Sequence, residues 1–490
     1  MSPVSGEADT QGGRWRLRER RWIADWDPED VERWNNGGAR VAKRNLIYSI
    51  FAEHVGFSVW SIWSVMVLFM PVDKYGIDTG GKFLLLAVPT LTGAILRLAY
   101  TFAPAKFGGR NWTIVSAAIL AVPTLLALYF ILHPETSYTT WLFVAALAGF
   151  GGGNFASSMT NINSFYPQRL KGWALGLNAG GGNLGVPAIQ IVGLLALSAV
   201  GDAAPSVVCA VYLVLIAAAS IAAAAFMDNL SGQDLSPRVM VNALRFGHSW
   251  VISLLYIGTF GSFIGYSFAF GQLLQINFVA SGETPAQAAL HAAQIAFVGP
   301  LLGSLSRPLG GKLSDRIGGG RVTFYTFVAM LVAAGALVVA SSVDDNTSGA
   351  TGGGVMAVYV LAFIVLFILS GVGNGSTYKM IPAVFEVRSW RLSDRTPNER
   401  AAWSRSMAGA LIGFAGAIGA IGGVLINVVL RISYSGAAKS ATDAFFVFAG
   451  FYLLCAIVTW YVFLRRRAVD SMTGDDGLVA ERALSSITRV

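Results

Sequence analysis

The chain has 490 residues, of which 54% are hydrophobic and only 13% are charged, and its mean hydropathy is +0.58. This charge content is too low for the surface of a soluble protein of that size, so the composition excludes an ordinary soluble domain and indicates apolar helices in a lipid bilayer. The formal net charge of +8 does not indicate nucleic-acid binding, because the basic residues are spread over short loops.

The first 44 residues are charged and contain no apolar stretch, so we expect no cleavable signal peptide. Within them, Trp15, Trp22 and Trp26 are spaced to share one face of a helix, among many arginines. This pattern predicts a cytoplasmic segment, 1–44, with an interfacial helix on anionic lipid. A regulatory contact is the alternative.

Apolar runs of about 20 residues then predict twelve membrane-spanning helices. The predicted spans are 45–71, 82–104, 111–132, 141–166, 172–199, 204–227, 248–279, 287–309, 321–342, 354–385, 404–431 and 441–464. The polar stretch 228–247 divides them into two groups of six, 45–227 and 248–464. Residues 465–490 form a polar tail.

The basic residues predict the orientation of these spans. About 28 of the 35 Lys and Arg residues lie on the side of the N-terminus, and only about four lie on the other side. This asymmetry places both termini and the 228–247 linker in the cytoplasm.

Two short motifs recur in equivalent helices of the two groups. A G-x-x-x-R motif occurs at 93–97 in the second span and at 303–307 in the eighth. A G-x-G-N motif occurs at 151–154 in the fourth span and at 371–374 in the tenth. Their equivalent positions indicate an internal repeat of six helices.

Arg97 and Arg307 are the arginines of this repeat, and both lie within apolar spans. An arginine at membrane depth costs a few kcal/mol and normally has a carboxylate partner, which these spans almost lack. We therefore expect the missing anion to be the substrate, because forked guanidinium donors suit oxyanions. The alternative is that each arginine bonds backbone carbonyls or reaches an interface.

Glycine-rich stretches occur in spans 4, 5 and 11 and predict close helix packing. Asparagines within them differ from the glycines, because a buried amide needs hydrogen-bond partners and could bind an oxyanion. The stretches are 149–159, 174–186 and 409–423, and the asparagines are Asn154, Asn178 and Asn183.

The loop 311–321 resembles the G-x-x-x-D-R-x-G motif of the major facilitator superfamily, at the position between helices 8 and 9. The copy expected in the first half, around 106–110, is degraded. The resemblance implies an all-α membrane protein of twelve helices, with two six-helix bundles and a substrate path between them.

The stretches 149–186, 409–423 and 254–265 are similar to the signature regions of the nitrate/nitrite porter family (NarK-type) of that superfamily. This resemblance spans about 45–464. It implies a bacterial inner-membrane (plasma membrane) transporter of nitrate and nitrite. We expect a monomer, although the sequence itself does not determine the oligomeric state. The sequence contains no nucleotide-binding loop, metal cluster or nucleophile constellation, so we expect no enzyme activity. The scattered histidines and the cysteines Cys209 and Cys455 predict neither a metal site nor a disulfide framework.

The resemblance also implies roles for particular residues. Two arginines hold the anion, aromatic side chains form the walls of its site, and a signature asparagine contributes an amide. The matching residues are Arg97, Arg307, Phe57, Phe155, Tyr256, Phe260 and Asn183.

Glu53 in span 1 and Lys379 in span 10 depart from the simplest exchanger pattern. Glu53 lies nine residues after Arg44, at the inner start of span 1, and Lys379 lies nine residues before Arg388, at the inner end of span 10. Both are therefore at about the same depth of roughly 13 Å, which permits a contact between them. Glu53 is the candidate proton carrier of a nitrate/proton symporter, and a static gating ion pair is the alternative. Nitrate/nitrite antiport without a proton and a non-transporting nitrate sensor are the other candidate functions.

Overall fold

The structure is a computed structural model that describes residues 17–18, 21–233, 237–346, 352–436 and 439–465. Within these residues, twelve helices are long and apolar enough to cross a membrane, as the sequence predicts. We number them 1 to 12: Val31–Phe69, Thr79–Phe107, Gly109–Ile131, Tyr138–Phe165, Arg169–Val200, Ala204–Phe226, Gly247–Ala280, Pro285–Ile317, Gly319–Asp345, Gly353–Ser389, Glu399–Ser435 and Thr442–Leu464. The predicted tail lies almost wholly outside the described residues.

Glycines at equivalent positions let helices 2 and 4 pack closely in the first half, as helices 8 and 10 do in the second. A methyl group on Gly93 would lie 3.2 Å from Cα of Gly152, and one on Gly371 would collide with the carbonyl oxygen of Gly303. The sequence repeat is therefore also a structural repeat, because its glycines have the same packing role in both halves.

The turns that follow helices 2 and 8 also match. Gly108 has φ 86° and ψ 140°, and Gly318 has φ 86° and ψ 139°. Residues with a Cβ atom rarely adopt this conformation, so both turns depend on glycine. The first-half turn keeps the geometry of the second, although its motif is degraded in sequence.

The short connections make successive helices antiparallel, so the bundle has two ends. We call the end that carries the N-terminus and the 228–247 linker the linker side. At the opposite side the two halves are joined by hydrogen bonds, from Gln190 Nε2 to the Ser267 carbonyl at 2.9 Å and from Gln275 Nε2 to the Leu68 carbonyl at 3.1 Å. Helix 2 packs along helix 11, and helix 5 along helix 8, across the same boundary.

The N-terminal segment differs from the prediction of an interfacial helix. Trp22–Ile23 is a short strand that pairs antiparallel with Leu17–Arg18 and parallel with Asn229–Leu230 of the linker. Arg21 and Asp25 have positive φ values of 61° and 56°, which a helix cannot contain. The helical face predicted for Trp22 and Trp26 is therefore wrong, and Trp15 lies outside the described residues.

The linker is attached to the first half. The carboxylate of Asp228 is buried and pairs with Arg44 at 2.5 Å, and it also accepts a hydrogen bond from Asn45 at 3.0 Å. A helix, Pro237–Leu244, follows before helix 7 begins. The N-terminal strand, the start of helix 1 and the beginning of the linker thus form one layer on the linker side.

Candidate functional site

Arg97 is completely buried at the middle of helix 2. Its Nε donates to the Gly152 carbonyl at 2.9 Å, and its Nη1 donates to the Gly416 carbonyl of helix 11 at 2.7 Å. Its Nη2 has no hydrogen-bond partner among the described residues. The alternative predicted from sequence, bonding to backbone carbonyls, therefore accounts for two of the three nitrogens of this guanidinium and leaves one free.

Arg307 occupies the equivalent place in helix 8 and is 5% exposed. Its Nη2 lies 3.4 Å from the hydroxyl of Tyr256, a long contact, and its Nη1 has no partner within the described chain. Among the described residues, each of the two arginines thus keeps one buried terminal nitrogen, an NH2 group, without a hydrogen-bond partner. Such a group costs free energy unless a ligand or water satisfies it.

Aromatic rings lie near both arginines. The ring of Phe155 lies 4.8 Å from the guanidinium carbon of Arg97 and 5.8 Å from that of Arg307. Phe57 and Phe260 lie 5.9 Å and 4.8 Å from Arg97. Because one ring contacts both cations, the two guanidiniums share a single enclosure between the halves.

Tyr256 completes this enclosure from helix 7. Its ring stacks on Phe260 with centroids 5.2 Å apart and an interplanar angle of 11°. Phe260 in turn stacks on Phe155 at 6.0 Å. The structure therefore places six of the seven substrate-binding residues implied by the sequence around one point: Arg97, Arg307, Phe57, Phe155, Tyr256 and Phe260.

Asn183 is the seventh residue, and none of the described hydrogen bonds joins it to either arginine. It is buried in helix 5, and its Oδ1 is unpaired within the described residues. Asn178 instead donates to Glu53 at 2.8 Å and to Ser158 at 2.6 Å. The two asparagines of this helix therefore have different surroundings.

Glu53 is 1% exposed in helix 1 and belongs to the same polar cluster. Its Oε2 accepts the hydrogen bond from Asn178, and its Oε1 is buried and unpaired among the described residues. The carboxylate lies within electrostatic range of both Arg97 and Arg307. A titratable group is thus placed beside the two fixed positive charges.

Lys379 does not pair with Glu53, so the contact permitted by their equal depth is not formed, and the static ion pair is wrong for this structure. Its Nζ contacts the carboxylate of Asp315 at 2.5 Å, at the linker-side end of helix 8, with both side chains about half exposed. Equal depth in the membrane was not enough to predict a contact between the two residues, because depth does not specify the direction in which a side chain points around its helix axis. Glu53 remains the coupling candidate, and Lys379 belongs to the linker-side surface.

Two residues of the enclosure were not found from the sequence. Trp60 lies 5.2 Å from the guanidinium carbon of Arg97, and Tyr378 lies 5.4 Å from that of Arg307. The signal for Tyr378 is its position one helical turn after Asn374 of the recurring G-x-G-N motif. Trp60 carries no signal beyond lying about one turn after Phe57 in the same helix.

Two helical halves with a buried cationic site between them define a membrane transporter of the major facilitator type. The Major Facilitator Superfamily family model matches residues 54–423. Among solved structures, the nucleoside transporter NupG has a TM-score of 0.55 at 11% identity, covering 86% of this chain and 100% of that one. This likeness shows the fold alone.

Two relatives identify the family within this superfamily. The nitrate/nitrite transporter NarU of Escherichia coli (strain K12) is 34% identical over 463 residues, covering 91% of this chain and 96% of NarU. The probable nitrate/nitrite antiporter NarK2 of Thermus thermophilus is 31% identical over 474 residues, covering 91% and 97%. The chain belongs to the NarK-type nitrate/nitrite porter family of the major facilitator superfamily, a family of transporters and not of enzymes.

Proposed function

We propose that this protein transports nitrate and nitrite across a bacterial inner membrane by alternating access, with both termini in the cytoplasm. The observation that carries the proposal is the pair of NH2 groups, Arg97 Nη2 and Arg307 Nη1, which have no partner among the described residues and lie within one aromatic enclosure. A planar oxyanion can accept hydrogen bonds from both groups. NarU and NarK2, whose names specify nitrate and nitrite, support this substrate.

For the coupling mode we propose nitrate/proton symport, with Glu53 as the proton carrier. With Glu53 charged, the empty site of two arginines and one carboxylate has a net charge of about +1, and bound nitrate would reduce it to zero. If Glu53 is protonated when nitrate binds, the loaded site has the same net charge of about +1 as the empty site. The loaded and the empty site then reorient across the membrane with the same charge.

Nitrate/nitrite antiport is the second candidate, favoured by the same charges when Glu53 stays ionised. The site is then neutral with either anion bound, so nitrate and nitrite exchange across the membrane without any change in the charge of the site. Obligatory exchange requires in addition that the empty site does not reorient. The name of the relative NarK2 includes antiport.

Glu53→Gln distinguishes these mechanisms, because the amide keeps the size of the side chain but cannot release a proton. We expect the variant to lose nitrate accumulation driven by an inward pH gradient and to retain nitrate/nitrite exchange. The measurement is uptake of labelled nitrate into proteoliposomes under each condition. Glu386→Gln is the matched control, because Glu386 is exposed on helix 10. Normal pH-driven accumulation by Glu53→Gln would remove the carrier role.

A further inference from the structure

A cavity of about 330 Å³ lies on the linker side, away from the two-arginine site. Both halves contribute to its walls, together with the N-terminal segment and the linker. Its lining includes Thr160, Lys171, Arg405, Ser406, Glu29 and Gln233. We call it the linker-side cavity.

The cavity lies on the path to the two-arginine site. Met159 and Ile412 line its deep end, and each is one helical turn, about 6 Å, from a residue that contacts Arg97, namely Phe155 and Gly416. Arg405 is eleven residues from Gly416 in helix 11, or about 16 Å. An anion in the cavity is therefore clearly separated from one held by Arg97.

Two basic side chains face each other in this cavity from opposite halves. Lys171 belongs to helix 5 and Arg405 to helix 11, and both are half-buried. They lie within electrostatic range of one another, and Glu29 lies within range of Lys171. Within the described residues neither cation forms an ion pair. Two like charges in one cavity repel, and a bound anion relieves that repulsion.

Gln233 of the linker supplies an independent observation. Its side chain lines the cavity, and both its Nε2 and its Oε1 are buried without a hydrogen-bond partner among the described residues. A buried amide with neither group satisfied indicates a polar ligand or water at this place. The amide N–H groups are suitable donors to an oxyanion.

We propose that the linker-side cavity is a second binding site for the transported oxyanion, held by Lys171 and Arg405 from opposite halves and by the Gln233 amide. The proposal rests on the proposed function, because the ligand is the transported anion. Since its two cations belong to different halves, the site exists only while the halves have this spacing. Asp27 and Glu29 at its rim weaken the binding of anions, so the site favours release.

Kinetics measured on each face of the membrane test this site. The half-saturating nitrate concentration for exchange is measured at the linker face and at the opposite face, in sealed vesicles of defined orientation. Lys171→Gln and Arg405→Gln should each raise it about tenfold at the linker face only, because each removes one charged donor. Lys43→Gln, an exposed cation on the same side outside the cavity, should leave it unchanged. No change at the linker face, or an equal change at both faces, would overturn the proposal.

Asp27→Asn provides a test of opposite sign. The asparagine keeps an acceptor for the hydrogen bond that Asp27 receives from the Glu29 amide, but it removes a negative charge from the rim. The half-saturating nitrate concentration at the linker face should fall several-fold. A rise would contradict an anion site beside this carboxylate.

Protection of a cysteine separates this site from the proposed function. In Ser406→Cys, nitrate should slow the reaction of the new thiol with a reagent added from the linker side, and Lys171→Gln should abolish that protection. The native cysteines are buried. Protection without any nitrate transport would support the site and contradict the proposed function. Transport without protection would overturn the site alone.

Discussion

At the scale of single residues, the surroundings of Arg97 fix the direction of its guanidinium. Two backbone carbonyls orient Nε and Nη1, and four aromatic rings surround the group, so Nη2 can point only into the enclosure. Such preorganisation reduces the free energy cost of binding an anion. Arg307 has fewer fixed contacts, so more of its orientation is left for the ligand to determine.

Arg97→Lys and Arg307→Lys should each weaken nitrate binding by about tenfold or more, because lysine keeps the charge and loses the planar fork of donors. The loss should be larger for Arg97, since lysine cannot bond Gly152, Gly416 and the anion with the same geometry. Equilibrium binding of labelled nitrate to purified protein measures both. The control is Arg238→Lys, an exposed arginine of the linker helix. Unchanged binding in both variants would place the anion elsewhere.

The arginines of the site could be predicted from the sequence because a buried charge without a partner is conspicuous in an apolar helix. The ion-pair partner of Lys379 could not be predicted from the sequence. Its contact with Asp315 depends on the rotation of helix 10 relative to helix 8, which spacing along the chain does not give. Trp60 was missed for a different reason, because an aromatic residue in a membrane span is usually a packing residue.

At the scale of helices, glycines determine how closely the backbones approach and therefore where the arginines find their acceptors. Gly152 contacts Gly93 and also accepts the hydrogen bond from Arg97 Nε. The twelve helices could be predicted because a bilayer requires long apolar runs. The strand at Trp22–Ile23 could not, because it is only two residues long and depends on pairing with the distant Asn229–Leu230.

Gly93→Ala should lower the thermal stability and impair transport together. A methyl group there would lie 2.7 Å from Nε1 of Trp60, whose ring packs against Arg97. Overpacking of this kind typically costs about 1–3 kcal/mol. The matched control is Gly335→Ala in helix 9, where no atom lies within 4 Å of the added group. The thermal midpoint in detergent and the nitrate exchange rate of the two variants give the comparison. Equal behaviour would contradict the packing role.

At the scale of the whole molecule, the two halves are joined at the opposite side and enclose a cavity at the linker side. The hydrogen bonds of Gln190 and Gln275 cross between the halves far from the linker. Arg97 also crosses this boundary, through its bond to Gly416. Movement of one half against the other must therefore change the surroundings of Arg97 and of the proposed anion site, as alternating access requires.

The orientation in the membrane can be tested with single cysteines, because both native cysteines are buried. Cysteines at Arg238 in the linker and at Arg395 in the loop between helices 10 and 11 should react only with reagents that reach the cytoplasm. One at Asn346, at the end of helix 9, should react from outside. All three positions are exposed. Reaction of Asn346→Cys from the same side as the other two would exclude the proposed topology.

We propose that the chain carries nitrate through the two-arginine enclosure and that this transport is coupled to protons. Uptake of labelled nitrate into proteoliposomes tests it most directly, with an inward pH gradient and no internal anion. We expect saturable accumulation by the parent protein, and strongly reduced accumulation at the same nitrate concentration by Arg307→Lys. No nitrate accumulation under the pH gradient would contradict proton coupling, and no nitrate entry under an exchange gradient with internal nitrite either would contradict nitrate transport as well.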